Sequence, residues 1–270
     1  MTHSQGRLAG KVAIVTGAGS SGPGVGTGKA MSILFAREGA RVVLVDRDPE
    51  AAEATLADLQ TEAGQGLVVQ ADVTRSEDCQ RAAEAAMGEF GGLDILVNNV
   101  GVASGASAVE VTEEEWGNVL DVNLKSMMLM CKHTIPRMSA GGGGSIINLS
   151  SIAGLRSASP GGSVAYSASK GGVVALTTDM AAAHGRENIR INCIAPGQLH
   201  TPMVAGLLTD EFRELRAQSA PLGTEGTAWD VAWAAVFLAS EESRWITGVV
   251  LPVDAGVVTT TPLAMLPHLR

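Results

Sequence analysis

The chain has 270 residues, 46% of them apolar and 17% charged, and a net charge of −9. That length and apolar content suit one large α/β domain with a substantial core, and they exclude wholesale disorder. The acidic balance, without any Lys/Arg run, argues against nucleic acid or an anionic membrane surface as a partner.

Met1 to Gly10 lacks the apolar core of a signal peptide, and no apolar stretch is long enough to span a bilayer. Cys79, Cys131 and Cys193 are isolated and without CxxC spacing, so they read as buried thiols in a reducing compartment. The expectation is a cytoplasmic protein. Val12 to Thr16 is a β-branched run and predicts a first strand. It opens into Thr16-Gly17-Ala18-Gly19-Ser20-Ser21-Gly22-Pro23-Gly24-Val25-Gly26-Thr27-Gly28, followed by helical spacing over Lys29 to Glu38. Glycines between a strand and a helix N-terminus let the backbone approach a diphosphate, whose charge the free amides and the helix dipole would hold. Arg41 to Asp46 predicts the second strand. Asp46 at its end is placed to accept from the adenosine ribose hydroxyls and to repel a 2′-phosphate, which favours NAD over NADP. Arg47 next door is able to bind that phosphate and keeps NADP as the alternative.

An Ala-rich helix is expected over Pro49 to Ala63. Further strands are expected at Gly66 to Gln70, Leu93 to Asn98, Ser145 to Ser150, Ile189 to Ile194 and Gly248 to Val253, each separated from the next by a helical segment. Thr112-Glu-Glu-Glu115 has the composition of a capping box, with Glu115 able to reach back to the Thr112 amide. Gly141 to Gly144 reads as a flexible loop inside the domain. Pro202 to Gln218 reads as one amphipathic helix with Met203, Leu207, Leu208, Phe212 and Leu215 on its apolar side, either a lid over substrate or a core stripe. Strands apolar on both faces, alternating with helices, indicate a parallel sheet covered on both sides. The fold class is therefore α/β: a single doubly wound Rossmann domain of about seven strands, with its ligand crevice at their carboxyl ends.

Tyr166 is the only tyrosine, and Lys170 follows four residues later. On a helix these positions share a face, with Cβ atoms roughly 5–6 Å apart. Bringing a tyrosine from its usual pKa near 10 to work near pH 7 requires roughly 4 kcal/mol. One positive charge about 4 Å away supplies about that much at an effective dielectric near 20.

Taken together these motifs resemble the short-chain dehydrogenase/reductase family, from about Leu8 to Gly256. Thr16-Gly17 with Gly26-Thr27-Gly28 resembles its glycine motif, and Asp72 with Val73 its adenine contact. Asn98-Asn99-Val100-Gly101 is similar to its Asn-Asn-Ala-Gly turn. Asn123, Ser151, Tyr166 and Lys170 match its catalytic set, while Pro196-Gly197 and Thr201-Pro202-Met203 resemble the segment that holds the nicotinamide carboxamide. The resemblance implies cofactor contacts at Gly17, Gly19, Gly26, Gly28, Asp46, Asp72, Val73, Asn99, Gly101, Pro196, Gly197 and Thr201, shared with Tyr166 and Lys170. It also implies that Tyr166 exchanges a proton with the substrate oxygen and Ser151 steadies that oxygen. Lys170 would lower the Tyr166 pKa and bond the nicotinamide ribose, and Asn123 would hold a water linking Lys170 to solvent.

Two stretches depart from the family pattern. The glycine loop is longer by about five residues, Ser21 to Val25, and the Ser151–Tyr166 spacing by about two. The apolar tail from Thr259 to Arg270 either covers a neighbouring subunit or is frayed, and the subunit contact is favoured because family members usually form homotetramers. Specificity is expected in Val102–Ala106, Leu155–Pro160 and Gln198–Leu222, stretches of mostly small or aliphatic residues; Arg156 and His200 are read as solvated or filler. No His/Cys cluster has metal-ligand spacing. The function expected is NAD-dependent oxidation of a small or cyclic secondary alcohol. An NADPH-dependent ketone reductase and a non-catalytic nucleotide-binding protein are the alternatives.

Overall fold

A computed structural model describes residues 6–206 and 208–268. Residues 1–5, Leu207 of the expected apolar stripe and the last two residues of the tail lie outside it.

All the expected strands form. They are β1 (Val12–Thr16), β2 (Arg41–Asp46), β3 (Gln65–Gln70), β4 (Ile95–Asn98), β5 (Gly144–Leu149), β6 (Ile189–Pro196) and β7 (Val250–Val253). They make one parallel sheet in the order β3-β2-β1-β4-β5-β6-β7. The β4 strand starts two residues later than expected because Asp94 binds ahead of it. Its carboxylate accepts from the Val12 amide at 2.8 Å while its own amide donates to the Val12 carbonyl at 2.9 Å.

The helices are α1 (Thr27–Arg37), α2 (Pro49–Gln60), α3 (Ser76–Phe90), α4 (Glu113–Leu120), α5 (Ser126–Ala140), α6 (Val164–His184), α7 (Pro202–Ala205), α8 (Asp210–Gln218), α9 (Ala228–Ala239) and α10 (Pro262–Met265). Successive side chains of a strand point to opposite faces, and β1 divides accordingly. Ala13 and Val15 pack with α1 and α9 on one side, whereas Val12 and Ile14 pack with α3 and α5 on the other. The chain leaves β1 for β2 and β3 on one flank and returns as β4 on the other. The carboxyl ends of β1 and β4 therefore border the crevice where a ligand binds such a sheet.

Three expectations are corrected. Pro202 to Gln218 is two helices: α7 stops at Gly206, and Thr209 starts α8 by accepting from the Phe212 amide at 3.2 Å. Met203, Phe212 and Leu215 are 49%, 38% and 47% exposed, so these three residues of the stripe are no part of the core. At α4 only half of the capping box forms. Thr112 accepts from the Glu115 amide, but the Glu115 carboxylate turns to the Ser104 hydroxyl at 2.8 Å.

Cys79, Cys131 and Cys193 are buried free thiols, as expected. No described helix is long and apolar enough to cross a membrane. Among the described residues no cluster of His, Cys, Asp and Glu could hold a metal ion.

Candidate active site

A cleft of about 550 Å³ opens at the carboxyl ends of the strands. Its outer end is built of glycine. At Gly28, on the first turn of α1, a methyl group would sit 1.8 Å from the Gly17 carbonyl oxygen, so bare backbone is the only way the helix can meet the strand end. Gly19 is equally enclosed: a methyl there would meet Ala51 Cβ at 2.6 Å and Asp46 Oδ2 at 3.1 Å. Gly26 caps α1 without a side chain, which leaves the positive end of the helix open to an anion. The longer loop has a definite place as well. Methyl groups at Gly22 and Gly24 would lie 3.8 and 3.5 Å from Pro202, so the extension reaches across to the start of α7.

Asp46 ends β2 and lines the cleft beside this glycine turn. It accepts from the Gly19 amide at 2.9 Å and from the Asp48 amide at 3.1 Å. Asp48 and Arg47 line the same end, with Asp72, Val73 and Thr74 beyond. Asp72 Oδ1 accepts from both the amide (2.9 Å) and the hydroxyl (2.7 Å) of Thr74, which fixes the turn after β3. Asn99 lines the cleft, but its carboxamide is committed within the protein. It donates to Thr16 and Gly17 carbonyls at 3.0 and 3.1 Å and accepts from the Thr27 hydroxyl at 2.7 Å. It braces the glycine turn that the cofactor would lie on.

The inner end carries the acid–base groups. Ser151 follows β5 in extended conformation and caps a short 3-10 turn, Ile152–Gly154. That turn meets α6 so closely that a methyl at Gly154 would lie 2.6 Å from the Lys170 carbonyl carbon. Tyr166 and Lys170 stand on α6, one turn apart, with the Lys170 Nζ 5.7 Å from the Tyr166 ring centre. Lys170 is held at both ends: its Nζ donates to the Leu149 carbonyl at 2.8 Å, and its own carbonyl accepts from Ser150 at 2.7 Å.

Burial dominates the protonation of this pair. It pushes Tyr166 above its ordinary value, partly offset by a hydrogen bond with Ser151. It also pushes Lys170 down to about 8. Burial of the phenol therefore sets the direction of the Tyr166 shift in this arrangement, opposite to the lowering expected from Lys170.

Asn123 is the one expected catalytic residue that does not line the cleft. It is fully buried in a π-helical turn, Asp121–Lys125. Its carboxamide accepts from the Val102 amide at 2.7 Å and donates to the Val102 carbonyl at 3.0 Å and the Ser169 hydroxyl at 3.1 Å. Both its oxygen and its nitrogen are thus bonded within the protein, to Val102 and Ser169. Such turns recur at functional sites; here the turn sets Asn123 behind Gly101, where a methyl would lie 3.5 Å from its Oδ1 and 3.4 Å from Lys170 Nζ. Ser169 was not singled out from the sequence. Its hydroxyl donates to the Tyr166 carbonyl at 2.7 Å and so ties Asn123 to the Tyr166 helix. Its position three residues after Tyr166 was the available signal.

Pro196, Gly197 and Thr201 close the cleft, joined by Leu199, Met203, Val204 and Arg216. Neither His200 nor Arg156 lines it, and Arg156 instead donates to the Thr260 carbonyl of the tail. In that tail Met265 is buried while Leu263 and Leu266 are 75% and 58% exposed.

A nucleotide-sized cleft walled by glycine backbone at one end, with a phenol, an ammonium and a hydroxyl at the other, has the form of a nicotinamide-dependent oxidoreductase. The family described as enoyl-(acyl carrier protein) reductase, a branch of the short-chain dehydrogenases/reductases, matches residues 23–258. The chain is 39% identical over 251 residues to the 3-oxoacyl-[acyl-carrier-protein] reductase FabG of Chlamydia muridarum, covering 93% of this chain and 98% of that protein. It is 37% identical over 250 residues to the 2,5-dichloro-2,5-cyclohexadiene-1,4-diol dehydrogenase LinX of Sphingobium indicum, covering 93% of this chain and 97% of that one. Carveol dehydrogenase from Mycobacterium avium, solved in complex with NAD, superposes with a TM-score of 0.88 at 31% identity, over 95% of this chain and all (100%) of that one. The protein belongs to the short-chain dehydrogenase/reductase family.

Proposed function

We propose that the protein is an NAD-dependent dehydrogenase interconverting a small or cyclic secondary alcohol and its ketone. The observation that carries this reading is the convergence of Ser151, Tyr166 and Lys170 at the inner end of the glycine-walled cleft. A bound nicotinamide would supply the hydride acceptor. Gly17, Gly19 and Gly28 would lie along its diphosphate, and Asp46 would receive the ribose hydroxyls. Tyr166 would take the proton of the alcohol, or return it to the ketone, at its phenolic oxygen. Ser151, which lines the cleft together with that phenol, would hold the substrate oxygen beside it. Lys170 would hold the second ribose and feed protons to Tyr166.

Because burial raises the Tyr166 pKa, the phenol is protonated at neutral pH. It is then ready to donate to a ketone, while alcohol oxidation needs the small phenolate fraction. Oxidation should therefore speed up from neutral to mildly alkaline pH, while reduction stays flat until the pH approaches the raised pKa. The substrate class is supported by the aliphatic wall of Val102, Leu199, Met203 and Val204, and by the ring diol in the name of the LinX relative. NAD is supported by Asp46 with Asp48, and by the NAD complex of carveol dehydrogenase. Arg47 at the same end, with the FabG relative, supports NADPH-dependent ketone reduction as the second reading.

Absorbance at 340 nm with a panel of secondary alcohols, NAD and NADP run in parallel, separates the two. A rise with NAD and ring alcohols is expected, and a rise only with NADP would transfer the case to the second reading. Tyr166→Phe should lower turnover by at least about a hundredfold, the usual contribution of a positioned acid–base group, with NADH binding retained. Turnover equal to wild type would remove Tyr166 from the mechanism.

A further inference from the structure

On the nicotinamide side, α8 places a guanidinium against the cleft. Arg216 lines the cleft beside Leu199, Thr201 and Val204, and its side chain is only 14% exposed. Its Nη2 donates to the Leu199 carbonyl at 3.2 Å. Its Nη1 lies 3.0 Å from Glu225 Oε1, close enough for an ion pair, yet both atoms are buried without hydrogen-bond geometry. Glu225, 10% exposed, is shared: its other oxygen accepts from Arg213 Nε at 2.9 Å. Asp210, the other acid near Arg213, is 3.8 Å away and almost wholly in water. Two guanidiniums therefore face one shielded carboxylate, and burial weakens the charged form of Arg216. A desolvated cation with donors left over and half a counter-ion is a poor structural element unless a second anion completes it. The acids of the cleft, Asp46, Asp48 and Asp72, are all at the adenine end and cannot do so.

We propose that Arg216 receives an anionic oxygen group of a ligand inside the cleft, either the diphosphate of the dinucleotide or a carboxylate carried by the alcohol. This rests on the reading of the cleft as a dinucleotide and alcohol site. A guanidinium bonds a phosphate or carboxylate oxygen with charge-assisted donors, two at a time where geometry allows. Glu225 fixes the guanidinium plane, and the Leu199 carbonyl anchors its far edge. Arg213, on the other side of Glu225, does not line the cleft and serves as the internal control.

The test compares wild type with Arg216→Gln, Arg216→Lys and Arg213→Gln. NADH is titrated by its fluorescence, and cyclohexanecarboxylate and cyclohexanemethanol are titrated onto the NADH complex by thermal shift. If the anion is the diphosphate, Arg216→Gln weakens NADH by roughly tenfold or more. If it is a substrate carboxylate, NADH binding is unchanged, while the carboxylate loses a similar factor and the neutral alcohol does not. In both cases Arg216→Lys recovers part of the loss and Arg213→Gln stays near wild type. Wild-type values for Arg216→Gln on both arms overturn the proposal. So does an equal loss in Arg213→Gln, which would mark a merely structural cluster. If Arg216→Gln does not fold, Arg216→Lys decides: a lysine cannot bond in two places, so unchanged affinity for every ligand overturns it. Failure of wild type to bind NADH at all would instead overturn the dehydrogenase reading itself.

Discussion

On the cofactor side of the cleft, α1 buries eight of its eleven residues, whereas α7 and α8 on the substrate side bury none. The two sides are held by different forces. Around the glycine turn, backbone meets backbone, and Asn99 and Asp46 bond the strand ends to the loop. The α8 helix is held by Arg213, Arg216 and Glu225 and keeps its apolar residues at the surface. A dinucleotide presents fixed charges and hydroxyls that must meet amides in one geometry, so its half of the cleft is built on rigid core. The apolar alcohol proposed as substrate would ask only for apolar surface, and elements with few buried contacts can adjust to it at little cost. The difference assigns stability to one side and adaptability to the other.

The sharpest way to break that division is Gly28→Ala. The new methyl would overlap the Gly17 carbonyl oxygen and lie 2.7 Å from Asn99 Nδ2, and neither neighbour is free to move. We expect a loss of about 3 kcal/mol or more in thermal or denaturant unfolding, with NADH binding abolished. A Tm within a degree of wild type would show that the glycine turn is not the rigid part.

Lys170 stands where the two sides meet, and it makes the division depend on pH. Its pKa falls from 10.5 in the free residue to about 8 in the fold. Below about pH 8 both folded and unfolded chains hold the proton, and the fold carries the full penalty of a buried charge. Between about 8 and 10.5 the unfolded chain binds more protons, so the lysine's contribution to stability rises with pH, by about 3 kcal/mol in all. Cys79 and Cys131, pushed up to about 12, and Cys193, to about 11, act in the opposite sense above about pH 9, because the unfolded thiols ionise first. Lys170→Met retains all three cysteines, so the wild type minus variant difference isolates the lysine. That difference, from denaturant midpoints at pH 7 to 10, should move in favour of wild type with rising pH. A flat difference would mean that water reaches Lys170 and that the inner end is not rigidly desolvated.

Legibility in the sequence followed the same division. The bounds of β1 and β2, the glycine turn, Asp46, and the Ser151, Tyr166 and Lys170 set were readable because each depends on residue type at a fixed place: β-branched runs, missing Cβ atoms, a lone phenol. Asn123 was readable as a position, but its π-helical setting was not, since backbone widening there leaves no residue signature. The sign of the Tyr166 shift depends on how deeply α6 lies against the 3-10 turn, a tertiary fact absent from a spacing of four. On the substrate side the helical period continued through Gly206, hiding the break, although Thr209-Asp210-Glu211 carried a readable helix start. Arg216 drew no notice because its meaning comes from Glu225, nine residues later.

The smallest expected effect on stability, and the finest test of the comparison, is Met203→Ser. Met203 lines the cleft yet is 49% exposed, so the fold itself gains little from its side chain. Surface substitutions of this kind change unfolding free energy by about 0.5 kcal/mol or less. A bound ring alcohol would cover that surface. Removing the thioether and its terminal methyl then forfeits roughly 1–2 kcal/mol of apolar burial with substrate alone. The expected outcome is an unchanged Tm, an unchanged KM for NAD, and a KM for apolar alcohols raised roughly five- to thirtyfold. A fall in Tm comparable to that of Gly28→Ala would show that the substrate side carries fold stability after all. A KM loss shared equally by NAD and the alcohol would place Met203 over the cofactor instead, and would extend the cofactor side to α7.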